Sequence, residues 1–214
     1  MRYIRCRQLF EDDFKKLEKV KIILFGVGGV GGHTLDALFR TGVKNITIVD
    51  YDRYEITNQN RQIGSENLGK IKTEVLANLY PGITPITQKV TKEWVEKFDF
   101  DDFDLIIDAI DDIPVKVALA HKNYDKFISS CGGAKRVDPT KIEISSIWKT
   151  INDPFAKKFR YELKKAGFDK DFEVVFSKEL PTRCEGLGSF VGVTGSMGYA
   201  LASLALKKVL TDKP

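Results

Sequence analysis

Residues 21–50 read KIILFGVGGVGGHTLDALFRTGVKNITIVD. Ile22 to Phe25 form an apolar run with the length and side-chain type of a buried strand, and the run stops at Gly26, Gly28, Gly29, Gly31 and Gly32. Leu35, Ala37, Leu38 and Phe39 then recur at helical spacing as far as Gly42, a C-cap residue, and Ile46 to Val49 make a second strand closed by Asp50. One βαβ unit results. In Gly26-x-Gly28-x-x-Gly31 the first glycine permits a tight turn, the second lets backbone approach a phosphate, and the third lets helix pack on strand. N–H groups at the helix start then face an anion, helped by the helix dipole. Asp50 follows Gly31 by 19 residues (50 − 31), where a carboxylate at a strand end takes both hydroxyls of a ribose. The pattern predicts nucleotide binding; a glycine-rich packing turn without a ligand is the competing reading.

The chain has 214 residues and 43% hydrophobic content, enough for one substantial core. A single domain is expected over 1–214, with an arm and helix at 1–20, a nucleotide-binding half at 21–134 and a substrate-side half at 135–210. The net charge of +4 is too small to identify a nucleic-acid binder by itself. Cys6, Cys131 and Cys184 lie far apart without a C-x-x-C pair, which supports neither a disulfide framework nor a structural zinc site and suits a reducing cytoplasm. The N-terminus MRYIRCRQLF shows no signal-peptide apolar region. Ser189 to Leu206 is uncharged, but its glycines and hydroxyls suit a tightly packed core helix better than a membrane span.

Ahead of the glycine loop, Phe10, Phe14 and Leu17 predict one short helix preceded by Arg2, Arg5 and Arg7, either a solvated arm or one that reaches a phosphate. After Asp50, the polar residues Asp52, Asn58, Asn60, Arg61 and Gln62 crowd a segment of weak strand character, and Lys70 and Lys72 open a helical pattern running to Leu79. Such a loop belongs at the carboxyl edge of the sheet, where an arginine and a lysine can neutralise a triphosphate. Strands are expected at Ile83 to Val90 and, as an uninterrupted apolar run covered on both faces, at Asp104 to Ile110. Asp108, Asp111 and Asp112 cluster at the end of the second of these, placed either to hold Mg²⁺ or to cap the helix that Pro114 opens. His33 and His121 show no partner that would make them a hydride-transfer base.

A fifth strand, Phe127 to Ser130, ends in Cys131-Gly132-Gly133-Ala134-Lys135-Arg136, where Cys131 reads as a small residue in a tight turn. A strand at Lys141 to Ile147 precedes a helix that Asp153 caps and Pro154 opens, with Phe155, Phe159 and Leu163 on its apolar side. Lys157, Lys158, Arg160, Lys164 and Lys165 occupy the other side, and Lys135, Arg136 and Lys149 are near in sequence. This is the densest positive region of the chain, either a solvated face or a contact for a phosphate backbone. Val174 to Phe176 make the last strand. The expected fold is α/β, a Rossmann-like, mostly parallel sheet with helices on both faces.

The glycine loop, Asp50, Asn58-x-x-Arg61-Gln62, Lys72 and Asp108-Ala109-Ile110-Asp111 together resemble the adenylating superfamily of ubiquitin-activating enzymes and the bacterial proteins ThiF and MoeB. The resemblance implies an enzyme that uses ATP to turn a carboxylate into an acyl-adenylate. It places Gly26, Gly28, Gly29, Gly31, Asp50, Asp52, Asn58 and Asp108 on the nucleotide, Arg61 and Lys72 on the phosphates and Mg²⁺ on Asp111. It also implies a homodimer in which an arginine crosses to the partner's site, with Arg7 of Arg5-Cys6-Arg7-Gln8 in that part. The two C-x-x-C pairs usual in ThiF and MoeB are missing. Residues 132–167 instead are similar to the tRNA threonylcarbamoyladenosine dehydratases, through Asp138-Pro139-Thr140, Lys149-Thr150 and Asp153-Pro154. That branch implies that the acid is the threonyl carboxylate on the modified tRNA adenosine beside the anticodon, with ring closure expelling AMP. Lys135, Arg136, Lys149, Lys157, Lys158 and Lys164 would then contact tRNA.

The chemistry suits the residues, because an ionised carboxylate needs no general base once Mg²⁺ and cationic side chains screen the phosphates it must approach. Two other readings stand beside it. One is an activating enzyme for a ubiquitin-like sulfur carrier ending in Gly-Gly, for which Cys184 would accept a thioester or persulfide if it is not simply a free thiol. The other is an NAD-binding Rossmann module, against which Arg61, Lys72 and Asp111 argue, since a dinucleotide has no γ-phosphate for them to serve.

Overall fold

The structure is a computed structural model, and it describes residues 2–211. One seven-stranded sheet runs through both halves of the chain in the order β3-β2-β1-β4-β5-β7-β6. Its strands are β1 (Lys21–Phe25), β2 (Asn45–Asp50), β3 (Thr84–Thr87), β4 (Leu105–Asp108), β5 (Phe127–Ser130), β6 (Ile142–Ser146) and β7 (Glu173–Ser177). All neighbouring pairs are parallel except β6 with β7. Strand order reverses between β1 and β4, so the loops leaving their carboxyl ends part and open a crevice there. The glycine loop leaves β1 at that point.

Side chains alternate along the central strands, as the period of two demands. Ile22 and Leu24 of β1 bury into one layer with Ile46, Ile48 and Ile107, under α2 (Phe14–Lys19), α3 (Gly31–Thr41), α4 (Lys72–Leu79) and α8 (Val191–Thr211). Ile23 and Phe25 bury into the other with Val49 and Ile106, under α5 (Lys92–Lys97), α6 (Ile113–Asn123) and α7 (Pro154–Lys165). Helices therefore cover both faces, and the central strands are apolar throughout because neither face meets water. The uncharged C-terminal stretch is a packing helix: Val193, Met197, Leu201 and Leu204 of α8 are buried in the first layer. None of the described helices is long and apolar enough to cross a membrane.

Three expectations change. The single N-terminal helix is two, α1 (Ile4–Phe10) and α2, joined by a 3-10 turn at Glu11–Asp13, because Glu11 takes φ 48° and breaks the helical run. Phe14 and Leu17 share the buried face, while Phe10 packs on the core from α1. β3 is shorter than Ile83 to Val90; Pro85 restricts it to the sheet edge, where a missing N–H is tolerated. The short α5, capped by the Thr91 hydroxyl, is not anticipated by the sequence because its six residues are under two helical turns.

Candidate active site

A cavity of about 520 Å³ opens at the carboxyl edge of the sheet, in the size range of small-molecule sites. Gly26, Gly28 and Gly29 form its floor, and two glycine positions explain the loop's shape. Gly26 has φ +79°, and a Cβ there would lie 2.8 Å from the Ala109 carbonyl oxygen; a Cβ on Gly31 would lie 1.8 Å from that of Gly26. The loop is drawn this tight by its bonds to β2, Gly26 N–H donating to the Val49 carbonyl and Val27 N–H to Asp50 Oδ2 at 2.8 Å. Among the described residues no protein acceptor takes the N–H of Gly28, Gly29 or Val30, all of which line the cavity at the start of α3. Such a row of donors is an anion site.

Asp50 ends β2 with its carboxylate in the cavity wall, steadied at Oδ1 by the N–H of Asp52 at 2.9 Å. Both oxygens keep lone pairs for further donors. Lys72 opens α4 with its side chain 5% exposed, and its ammonium donates to Asp52 Oδ2 at 2.9 Å. Arg61 lies with its stem against Gly29, and its guanidinium donates to the Thr57 carbonyl and Asn60 Oδ1, each at 2.8 Å. Asn58 holds the turn that carries Arg61: its Oδ1 accepts from Glu55 N–H, and its backbone carbonyl accepts from Arg61 and Gln62. Its Oδ1 is thereby used in shaping the loop, while Asn58 also lines the cavity.

The three aspartates at the end of β4 separate into three positions. Asp112 caps α6, accepting from Val115 N–H. Asp108 is fully buried; its Oδ2 accepts from the Lys116 ammonium at 2.8 Å and the Ser129 hydroxyl at 2.7 Å, and it does not line the cavity. That corrects its expected place on the nucleotide: an ion pair sealed from water needs all its partners within the protein, and Asp108 already has them. Asp111 is exposed in the cavity wall, with no hydrogen bond or ion pair through its carboxylate among the described residues. It therefore offers open carboxylate oxygens, the donor set a hard cation takes.

Arg136 is also not where the sequence reading puts it. It is 3% exposed, and its guanidinium donates to the carbonyls of Gly132, Ala134 and Glu179 and lies 3.4 Å from Asp153. A surface phosphate cannot reach it. Lys135 is half-buried and donates to the Cys184 carbonyl, whereas Lys149, Lys157, Lys158 and Lys164 are exposed. Cys131 lines the cavity, and burial pushes its thiol up, so it is uncharged at neutral pH and a poor nucleophile. Cys184 is exposed on the loop before α8. Arg7 stands apart from this cavity, its guanidinium 2.8 Å from Glu18 and over the Phe14 ring.

The ThiF family model matches residues 1–213. The chain belongs to the ThiF family. Relatives in the ThiF family include the tRNA threonylcarbamoyladenosine dehydratase of Escherichia coli (strain K12), 32% identical with 96% of this chain and 89% of that protein aligned. That of Bacillus subtilis (strain 168) is 36% identical over 80% of this chain and 72% of the relative. Among solved structures, the E. coli dehydratase TcdA in complex with ATP superposes with a TM-score of 0.91 at 33% identity, covering 97% of this chain and 93% of that one. TcdA in complex with AMP superposes equally well.

Several lining residues of this ThiF-family cavity carry no sequence signal. Gln88, Lys89 and Val90 reach it from the end of β3, with the Lys89 ammonium 5.5 Å from the centre of the exposed Tyr51 ring. Phe155 and Thr194 arrive from α7 and α8, which only the folded sheet brings together. Gln62 stands inside the quoted motif, and its buried Oε1 has no partner among the described residues, yet a lone glutamine in a polar loop announces nothing.

Proposed function

We propose that the chain is an ATP-dependent tRNA threonylcarbamoyladenosine dehydratase. It adenylates the threonyl carboxylate of the modified adenosine and cyclises the product with release of AMP. The observation that carries this is the meeting, in one cavity, of free loop N–H groups, Lys72, Arg61 and the open carboxylate of Asp111, in a chain that superposes almost end to end on TcdA in complex with ATP. Asp50 receives the ribose hydroxyls, and the N–H groups of Gly28, Gly29 and Val30 receive phosphate oxygens. Lys72 and Arg61 leave their present acceptors, Asp52 and the Thr57 carbonyl, for the phosphates. Asp111 would hold Mg²⁺, which supplies charge neutralisation across the triphosphate when bound.

A substrate carboxylate oxygen attacks the α-phosphorus, forming the acyl–O–P bond and breaking the bond to pyrophosphate. An internal nucleophile of the same threonylcarbamoyl group then attacks the acyl carbon, breaking its bond to the AMP oxygen and giving its proton to the departing phosphate or to solvent, so the nucleoside loses the elements of one water. The first step needs no protein base, because the attacking carboxylate is already ionised, which suits a cavity lined by no histidine. The exposed Lys149, Lys157, Lys158 and Lys164 contact tRNA phosphates, and Arg7 serves the site of the partner in a homodimer. Incubation with ATP, Mg²⁺ and total tRNA, followed by nucleoside mass spectrometry, should show threonylcarbamoyladenosine losing one water with stoichiometric AMP. AMP formed only with a small protein ending in Gly-Gly would instead make the chain a carrier-activating enzyme.

A further inference from the structure

Helix α7 leaves the cavity wall at Phe155 and carries its charge outward in one stripe. At 3.6 residues per turn, Lys157, Lys158, Tyr161, Lys164 and Lys165 fall within roughly 120° of its circumference. All five are exposed, and Tyr161 occupies the middle, four and three residues after the first two lysines and three and four before the last two. The fold does not account for this aromatic ring. Ala156, Phe159 and Leu163 supply the buried side of the helix, while Tyr161 is 64% exposed. Arg160 beside it turns inward and donates to Thr150, so the stripe is formed by lysines around one ring. None of the four lysines forms an ion pair among the described residues.

We infer that Tyr161 is a stacking platform for an unpaired base of the RNA substrate, with Lys157, Lys158, Lys164 and Lys165 holding the phosphates on either side of it. This rests on the tRNA reading above and adds the part of the RNA that is gripped. A basic surface alone fits any phosphate backbone. An exposed ring centred among the cations fits a strand whose bases are splayed out, because a duplex presents phosphates but no free base face. Tyr161 lies about 9 Å along the helix axis from Phe155, within reach of a nucleotide neighbouring the one in the cavity.

The two kinds of contact leave different marks on affinity. Each lysine releases counterions and so sets the salt dependence, whereas stacking on an aromatic ring adds affinity without changing the ion count. Binding of a tRNA anticodon stem-loop and of a length-matched duplex RNA would be titrated across salt concentrations for wild type, Tyr161→Ala, Tyr161→Phe and Lys158→Ala. Tyr161→Ala should weaken the stem-loop by about five-fold or more with an unchanged salt slope, leave the duplex unaffected, and be rescued by Tyr161→Phe. Lys158→Ala should lower the slope for both RNAs. If wild type binds the stem-loop and dehydrates tRNA while Tyr161→Ala binds as wild type, or weakens both RNAs alike, the platform falls and the enzymatic reading stands. Wild type that neither binds the stem-loop nor dehydrates tRNA removes both.

Discussion

A Cβ on Gly31 would sit 1.8 Å from the Gly26 carbonyl oxygen, and the obstructing atom is backbone held by the β1–β2 pairing. Gly31→Ala should therefore cost about 3 kcal/mol in urea unfolding, more than Gly69→Ala, where the space is open and only the φ of +75° opposes a side chain. Arg61→Ala and Asp111→Ala should each abolish AMP formation with the far-ultraviolet circular dichroism unchanged, because neither side chain is part of the core. Full activity in both would remove the site assignment. His33 gives a pH test. Both ring nitrogens are buried without partners among the described residues, and burial lowers its pKa from 6.5, with the Arg61 backbone and Asp36 opposing. A neutral buried base binds fewer protons than the unfolded one, so its share of stability is complete above about pH 6.5 and is lost as pH falls below it. The melting temperature should drop between pH 7 and 5, and the drop should be smaller in His33→Gln.

Among the helices, α7 and α8 illustrate opposite uses of a face. Reversal of Lys157, Lys158 and Lys164 to Glu should weaken tRNA binding and flatten its salt dependence, by up to about one unit of slope for each phosphate no longer neutralised. Indifference to all three changes would make that face mere solvation. α8 has almost no charge because it lies against α3: a Cβ on Gly198 would meet the Val30 carbonyl oxygen at 2.5 Å, and one on Gly195 would meet the His33 ring. Those glycines let two helices close together behind the glycine loop. The same uncharged stretch resembles a membrane span in composition, and the glycine spacing is what separates the two readings.

For the molecule as a whole, ATP with Mg²⁺ should raise the melting temperature while NAD leaves it unchanged, since only a ligand that prefers the folded state shifts the equilibrium. Tight NAD binding without ATP binding would end the adenylation reading. Arg7 lies outside its own chain's cavity, so a mixture of Arg7→Ala and Arg61→Ala proteins should recover activity that neither has alone; no recovery would exclude a crossing arginine. Much of this was readable in the linear chain. The glycine loop, Asp50, Lys72 and the apolar strands follow from local periodicity and spacing, because a βαβ unit is specified by neighbours within about 30 residues. The fate of each charge was not. Asp108 and Asp111 differ by three positions and read alike, yet Lys116 and Ser129 seal the first while the second stays open, and Arg136 disappears beneath its own loop. Sequence by itself determined the sheet and the glycine loop. Only the tertiary structure decided which ionised groups are spent on one another and which remain for a substrate, because burial and pairing depend on residues that are distant along the chain and adjacent in space.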